Sequence, residues 1–311
     1  MNLIQKIKKF PFVLAPMAGY TDHAFRVIAK EYGASLVFTE MVSVYSIIHH
    51  RQKIEKLLYF SRKEKPIGIQ LFGNNSDLFY EASKVAAGLG FDLIDINFGC
   101  PANKVVRTKA GAYLHKDLKA VELTIKNTIK GAGKLPVSIK MRSGWDENSK
   151  NFIEIAKIAE DNGVGIITLH PRTRLQMFKG KSDWDDIKKL KKRSGLFIIG
   201  SGDVVDRQSA LKMLNGTGCD AVMIGRGAIG NPFIFREIKD KNYSPTFQER
   251  VKTAMRHFKL LYKFKGERGI FEMRKFYGKY IKGFSNASEV RNKIITETDS
   301  KKIIKILKSL I

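Results

Sequence analysis

The chain has 311 residues, with 56 Lys and Arg against 30 Asp and Glu and a formal net charge of +26. Its 43% hydrophobic content is enough to bury a sizeable core, and the positive excess favours polyanionic partners, nucleic acid first among them. The two cysteines, Cys100 and Cys219, exclude a disulfide framework or a four-ligand cysteine metal site, and no metal is expected.

The first segment, Met1 to Phe10, is short, basic and amphipathic, without the apolar core of a secretion signal. No apolar run reaches bilayer length. A cytoplasmic protein with no membrane association is therefore expected. From there, short apolar runs recur at Phe12–Met17, Leu36–Glu40, Pro66–Phe72, Phe91–Asn97, Pro136–Met141, Gly165–His170, Leu196–Gly200 and Ala221–Gly225. Helical patterns separate them, at Asp22–Glu31, Asn75–Gly88, Leu118–Ile129, Asn151–Asp161, Trp184–Lys192 and Asp206–Leu214. Strands that are apolar throughout are buried on both faces. Eight strand–helix units predict an α/β fold, a (β/α)8 TIM barrel; a doubly wound open sheet is the alternative. After the linker Asn242–Pro245 the pattern is purely helical, with Val251, Ala254, Met255, Phe258, Leu261 and Tyr262 on one face. Residues 241–311 carry eighteen Lys or Arg against six Asp or Glu, a net +12. The predicted division is a catalytic barrel over 1–241 and a small, basic, all-helical domain over 242–311.

Barrel active sites lie at the C-terminal ends of the strands, so those ends are where chemistry is sought. The first carries Pro16, Met17 and Ala18, small or flexible residues that admit a flat ligand, before Asp22, a candidate helix cap. The third ends near Gln70, whose carboxamide can read the edge of a heterocycle. The fourth ends Asn97-Phe98-Gly99-Cys100-Pro101, which sets a thiol on a loop at the mouth; Cys219, by contrast, reads as a small buried residue. The fifth carries Lys140 and Arg142, two cations on the same side of a strand. The sixth ends His170-Pro171-Arg172. The seventh and eighth end in glycine-rich turns, Ser201-Gly202-Asp203 and Gly225-Arg226-Gly227, the place where many barrels hold a phosphate. These residues describe a barrel holding a phosphorylated cofactor, with Lys140, Gln70 and His170 around its ring and Cys100 facing it. FMN fits better than NAD, because no strand is followed by a dinucleotide fingerprint.

The run Ala15-Pro16-Met17-Ala18-Gly19-Tyr20-Thr21-Asp22, with Asn97-Phe-Gly-Cys-Pro101, Lys140-Met-Arg142, His170-Pro-Arg-Thr-Arg174 and Gly202-Asp203, resembles the tRNA-dihydrouridine synthases, nearest their bacterial B-type branch. The resemblance covers almost the whole chain. It implies that Pro16, Met17 and Ala18 line FMN, that Gln70 and Lys140 contact its ring, and that His170 sits beside it. Ser201, Gly202, Asp203, Gly225 and Arg226 would hold the phosphate end. It further implies that NADPH reduces the flavin, and that a D-loop uridine swings out of the tRNA into the mouth. There C6 receives a hydride and Cys100 protonates C5. Asn97, Arg142 and Arg172 are expected to touch the substrate, and Arg274, Lys275 and Tyr280 of the tail to grip tRNA. No obligate protein partner is expected. Two positions depart from the family: Ser201 stands where Asn is usual, and Pro171 where Gly is usual, which removes an N–H. The alternatives are a flavin barrel acting on a small pyrimidine or enone, disfavoured by the basic tail, and a non-catalytic flavin- and RNA-binding protein, disfavoured by Cys100.

Overall fold

The computed structural model describes residues 2–311. Eight parallel strands form the sheet: β1 (Phe12–Leu14), β2 (Val37–Ser43), β3 (Ile67–Phe72), β4 (Leu93–Phe98), β5 (Val137–Arg142), β6 (Ile166–His170), β7 (Phe197–Ser201) and β8 (Ala221–Ile224). Each pairs with the next in sequence from β2 to β8, and β8 returns to β1, with Phe12 opposite Val222. Two backbone bonds draw β1 against the approach to β2: Leu14 N donates to Leu36 O at 2.9 Å and Ser35 N to Phe12 O at 3.0 Å. The result is a (β/α)8 barrel. β1 stops three residues short of its expected end at Met17. Pro16 has no N–H to extend a ladder, and Met17 O instead accepts from the amides of Tyr20 and Thr21 in a turn.

Helices separate the strands: α1 (Leu3–Lys9) before β1, α2 (His23–Glu31), α3 (Val44–His49) and α4 (Glu55–Leu58) before β3, α5 (Ser76–Gly88), α6 (Asn103–Val106), α7 (Leu118–Ala132), α8 (Phe152–Asp161), α9 (Trp184–Arg193), α10 (Arg207–Thr217) and α11 (Ile234–Lys239). Asp22 caps α2 by accepting from Phe25 N at 3.1 Å, as its position in sequence predicts.

The barrel interior is divided along its axis. Inward-facing side chains recur every second residue on a strand. Toward the N-terminal end they are apolar: Val13, Phe38, Leu93, Ile166, Phe197, Ile199, Ala221 and Met223 form one buried cluster, with Ile7 of α1 within it and Leu3 and Ile4 against it. Toward the other end the same series turns polar, running Leu93, Asp95, Asn97 on β4, Ser138, Lys140, Arg142 on β5 and Ile166, Thr168, His170 on β6. The fold thus closes one end with an apolar plug and leaves functional groups at the other.

Four helices follow the barrel: α12 (Phe247–Lys265), α13 (Arg268–Tyr280), α14 (Ala287–Thr296) and α15 (Ser300–Lys308). They share a hydrophobic cluster with α2: Phe25 packs on Phe276 with ring centroids 5.3 Å apart, and Val251, Phe258 and Leu261 belong to the same core as Ala24 and Ala29. Lys265 pairs with Asp22 at 2.7 Å, Tyr32 hydrogen-bonds Thr253 at 2.7 Å, and Arg256 Nε meets Glu31 at 2.7 Å. Removing residues 242–311 strips this cover from Phe25 and its neighbours. The truncated chain is therefore expected to unfold at a lower urea concentration than the full protein, or to aggregate; an unchanged midpoint would mean that the barrel needs no cover there.

Candidate active site

Cys100 follows β4 on a loop whose shape is set by Asn97. The Asn97 side-chain oxygen accepts from Gly99 N at 3.0 Å and Cys100 N at 2.8 Å, and Ala112 N donates to Cys100 O at 3.1 Å. Gly111 lets the following segment come this close. Its φ is +62°, and a Cβ there would stand 2.9 Å from Cys100 O and 3.1 Å from Cys100 Cβ. Cys100 is only partly exposed, and burial pushes its thiol up from the usual value, against the opposing pull of the Ala102 N–H and nearby cations. It is held as a thiol, the form a proton donor needs.

Behind Asn97 lies a polar layer that strand ends alone do not reveal. Asn97 Nδ2 donates to Gln70 Oε1 at 2.9 Å, and Gln70 Nε2 donates to Asp95 at 2.6 Å. Asp95 is 1% exposed and lies opposite Gln70 on β3 and Ser138 on β5. The Ser138 hydroxyl donates to its other oxygen. Burial raises the Asp95 carboxyl to about 6, despite those two bonds. The sequence does carry a signal for it: Asp95 is the carboxylate two residues before Asn97, on the same inward series.

Cations surround this layer. Lys140, opposite Asn97 in the ladder, has no hydrogen-bond or ion-pair partner among the described residues. Burial, and then Arg142, push its amine down to about 8. Arg142 is opposite His170 but turns its guanidinium to backbone carbonyls, Nε to Gly99 O at 2.9 Å and Nη1 to Thr173 O and Met177 O at 2.8 Å each. It ties the cysteine loop to the loop after β6. Burial, and then Arg172, lower its pKa to about 10. His170 is held well below its usual pKa by burial and by Lys140, Arg142 and Arg172. It is neutral, and its Nε2 stands 3.2 Å from Arg172 Nη1; accepting there leaves the proton on Nδ1.

Arg172 departs from the expectation of substrate contact. It is 2% exposed, and its remaining donors meet Lys179 O, Gly180 O and both oxygens of Asp203, the last at 2.8 and 2.7 Å. Nε and Nη2 hold the loop after β6 and Asp203, and Nη1 meets His170 with one of its two N–H groups. Above that loop Phe178 is 53% exposed, with the guanidiniums of Arg142 and Arg226 5.5 and 5.1 Å from its ring centre.

The ends of β7 and β8 form a cradle. Gly202 has φ +119°, and a Cβ there would meet the Ser182 side chain. Asp203, also at positive φ, accepts from Ser182 N at 2.8 Å; that bond and Arg172 outweigh burial and hold its carboxyl below the usual value. Arg226, largely exposed, approaches Asp203 at 3.4 Å. The amides of Gly202, Asp203, Gly225 and Arg226 donate to no group among the described residues. Ser201 is buried at the end of β7. Pro16 and Met17 are half-buried and Ala18 exposed; Gly225 leaves open the space beside Ala15 and Met17, each 3.6 Å from where its Cβ would stand. Pro171 offers no N–H, and its carbonyl accepts from Asp183 N at 3.0 Å.

The tail residues are placed less uniformly than expected. Tyr280 is fully buried, its hydroxyl 3.2 Å from His257 Nδ1. With Met273, Phe276 and Tyr277 it forms the packed stripe of α13, so it serves the core and does not meet tRNA. Lys275 donates to Gly19 O, anchoring the turn after β1, and Arg274 lies over the ring of Phe271, which is exposed. No group of three or more metal-ligating side chains that could hold a metal occurs among the described residues.

Residues 13–309 match the family model described as Dihydrouridine synthase (Dus). A probable tRNA-dihydrouridine synthase of Rickettsia conorii is 37% identical over 290 residues, 91% of this chain and 87% of that protein. A tRNA-dihydrouridine synthase B of Pasteurella multocida is 36% identical over 295 residues, 93% of this chain and 89% of its own. Among solved structures, histamine dehydrogenase from Rhizobium sp. 4-9 superposes with a TM-score of 0.61 at 15% identity, over 80% of this chain and 49% of its own. A morphinone reductase variant in complex with tetrahydroNAD gives 0.54 at 13%, over 76% and 88%. At these identities the two structures share the fold.

Lys140 lacks an anion, so it costs the ligand-free fold stability. A base whose folded pKa is lowered from 10.5 to about 8 penalises folding fully below about pH 8, and the penalty fades as pH rises to the unfolded value. At 1.36 kcal/mol per unit this is at most about 3 kcal/mol, and less because the half-buried amine is partly reached by water. Lys140→Met is expected to raise the urea midpoint of the ligand-free protein at pH 7, with a smaller gain at pH 10; a loss of stability at pH 7 would show that Lys140 has a partner.

Proposed function

From the premise that the chain belongs to the dihydrouridine synthase family, an enzyme family acting on tRNA, we propose an FMN-dependent reduction of D-loop uridines with Cys100 as proton donor. The observation that carries this reading is the meeting, at one barrel mouth, of an unpartnered cation, Lys140, with a half-buried thiol kept protonated, Cys100.

The residues present fit a flavin mononucleotide. Free amides at Gly202, Asp203, Gly225 and Arg226, with the Arg226 guanidinium, suit a phosphate, and the one carboxylate there, Asp203, is already neutralised by Arg172. Pro16, Met17 and Ala18 offer a thin wall for the ring. Lys140 suits the ring's pyrimidine edge, where a cation stabilises the anionic reduced form, and Gln70 and neutral His170 lie beside it. Ser201 brings a small side chain to the same cradle. When bound there, FMN supplies the hydride for C6 of uracil and is recharged by NADPH, whose oxidation balances the saturation of the C5–C6 double bond.

This chain's own part is to hold the base and deliver a proton. Cys100 gives its proton to C5, and the thiolate left behind is stabilised by Arg142, Lys104 and Lys140, the cations acting on it. Asn97 keeps the loop that carries the thiol in one conformation, and Arg142 locks that loop to the next; through them the sulfur approaches a base that has left its stack. Residues 242–311 act as the tRNA-gripping part of the enzyme. Their net +11 supports this, with Arg274 and exposed Phe271 offering charge and a stacking face. No helix among the described residues is long and apolar enough to cross a membrane, and a tRNA substrate implies work in the cytoplasm. NADPH and tRNA are the only partners this scheme requires.

Cys100→Ala is the direct test. The variant is expected to keep its yellow colour and its oxidation of NADPH, while dihydrouridine formation on tRNA falls by about 100-fold or more, the usual contribution of a general acid. Turnover on tRNA at the normal rate would remove Cys100 from the mechanism.

A further inference from the structure

We propose that Asp95, which lies beneath the mouth and touches neither cysteine nor ligand cradle, is the positioning residue that supplies the terminal acceptor of a hydrogen-bond chain running from the Cys100 loop. The chain runs from the amides of Gly99 and Cys100 to Asn97 Oδ1, from Asn97 Nδ2 to Gln70 Oε1, and from Gln70 Nε2 to Asp95, over 3.0, 2.8, 2.9 and 2.6 Å. An amide side chain can sit either way round, and nothing in Gln70 or Asn97 alone selects one orientation. The two ends of the chain select it. Backbone N–H groups can only donate, and a carboxylate can only accept, so each amide between them has one orientation that satisfies both neighbours. Ser138 occupies the other carboxylate oxygen, leaving Asp95 no alternative partner. All bonds point the same way, and each strengthens the next in a buried setting.

A leucine at position 95 removes the terminal acceptor. Gln70 Nε2 is then buried without a partner, the chain slackens, and the two bonds from the cysteine loop to Asn97 weaken, while those to Ala112 N and Arg142 stay. An asparagine keeps the chain: its oxygen accepts from Gln70 and its NH2 donates to the Ser138 hydroxyl oxygen, which can accept as well as donate.

The inference rests on the importance of Cys100, but its readout does not: alkylation of Cys100 by iodoacetamide across a pH series reports the loop whether or not the thiol is the proton donor, whereas Cys100→Ala alone tests that role. Asp95→Leu is expected to raise the limiting alkylation rate about tenfold, and Asp95→Asn to stay near wild type. Gln70→Met, which keeps the Asp95 charge but cuts the chain, is expected to match Asp95→Leu, whereas a purely electrostatic role for Asp95 predicts a wild-type rate there and a raised rate in Asp95→Asn. Wild-type alkylation in Asp95→Leu, or Asp95→Asn as fast as Asp95→Leu, would overturn the proposal. If Asp95→Leu does not fold, Gln70→Met decides: a raised rate supports the chain, and a wild-type rate contradicts it.

Discussion

The arrangement depends on an imbalance of charge inside the barrel. Lys140, Arg142, Arg172 and Arg226 converge on the C-terminal end, and the acidic groups that answer them, Asp95 and Asp203, are already taken up by Gln70 and Ser138 in one case and by Arg172 in the other. Lys140 is left without a partner. Buried cations without anions are costly, and a fold keeps them where something else supplies the negative charge. The free amides of the β7 and β8 turns make the same demand from the backbone side.

Around that imbalance the protein uses most of its charged groups as fasteners. Arg142 and Arg172 each bind backbone carbonyls of the 173–180 segment, so the loop after β6 is held from beneath while Leu175 and Phe178 face outward. Lys265 and Lys275 of the tail reach the turn after β1, at Asp22 and at Gly19. The helices after the barrel are therefore connected to the active-site rim as well as to its outer wall. A shift of these helices has a short route to Pro16, Met17 and Ala18.

The barrel was legible because its signals are local: eight apolar runs, each followed by a helix pattern, and chemistry-bearing residues at their ends. The Cys100 loop was legible for the same reason. What escaped depends on neighbours from other strands. Asp95 gains its meaning from Gln70 on β3 and Ser138 on β5, which no spacing along β4 reports. Arg172 reads as a free cation because sequence does not show the carbonyls of Lys179 and Gly180 folding back to it. Tyr280 is expected to grip tRNA, yet Met273, Phe276, Tyr277 and Tyr280 recur at the interval of a buried helical stripe, with Arg274, Lys275 and Lys279 interleaved between them.

The central claim is that the cationic mouth is built to hold a flavin mononucleotide. The most direct measurement is identification of what heat denaturation releases from the purified protein, by absorbance and mass. The account predicts FMN, about equimolar with the chain, and its loss from a variant in which Lys140 and Arg226 are both replaced by methionine. A protein that releases no flavin, and takes up none when FMN is added, would contradict it.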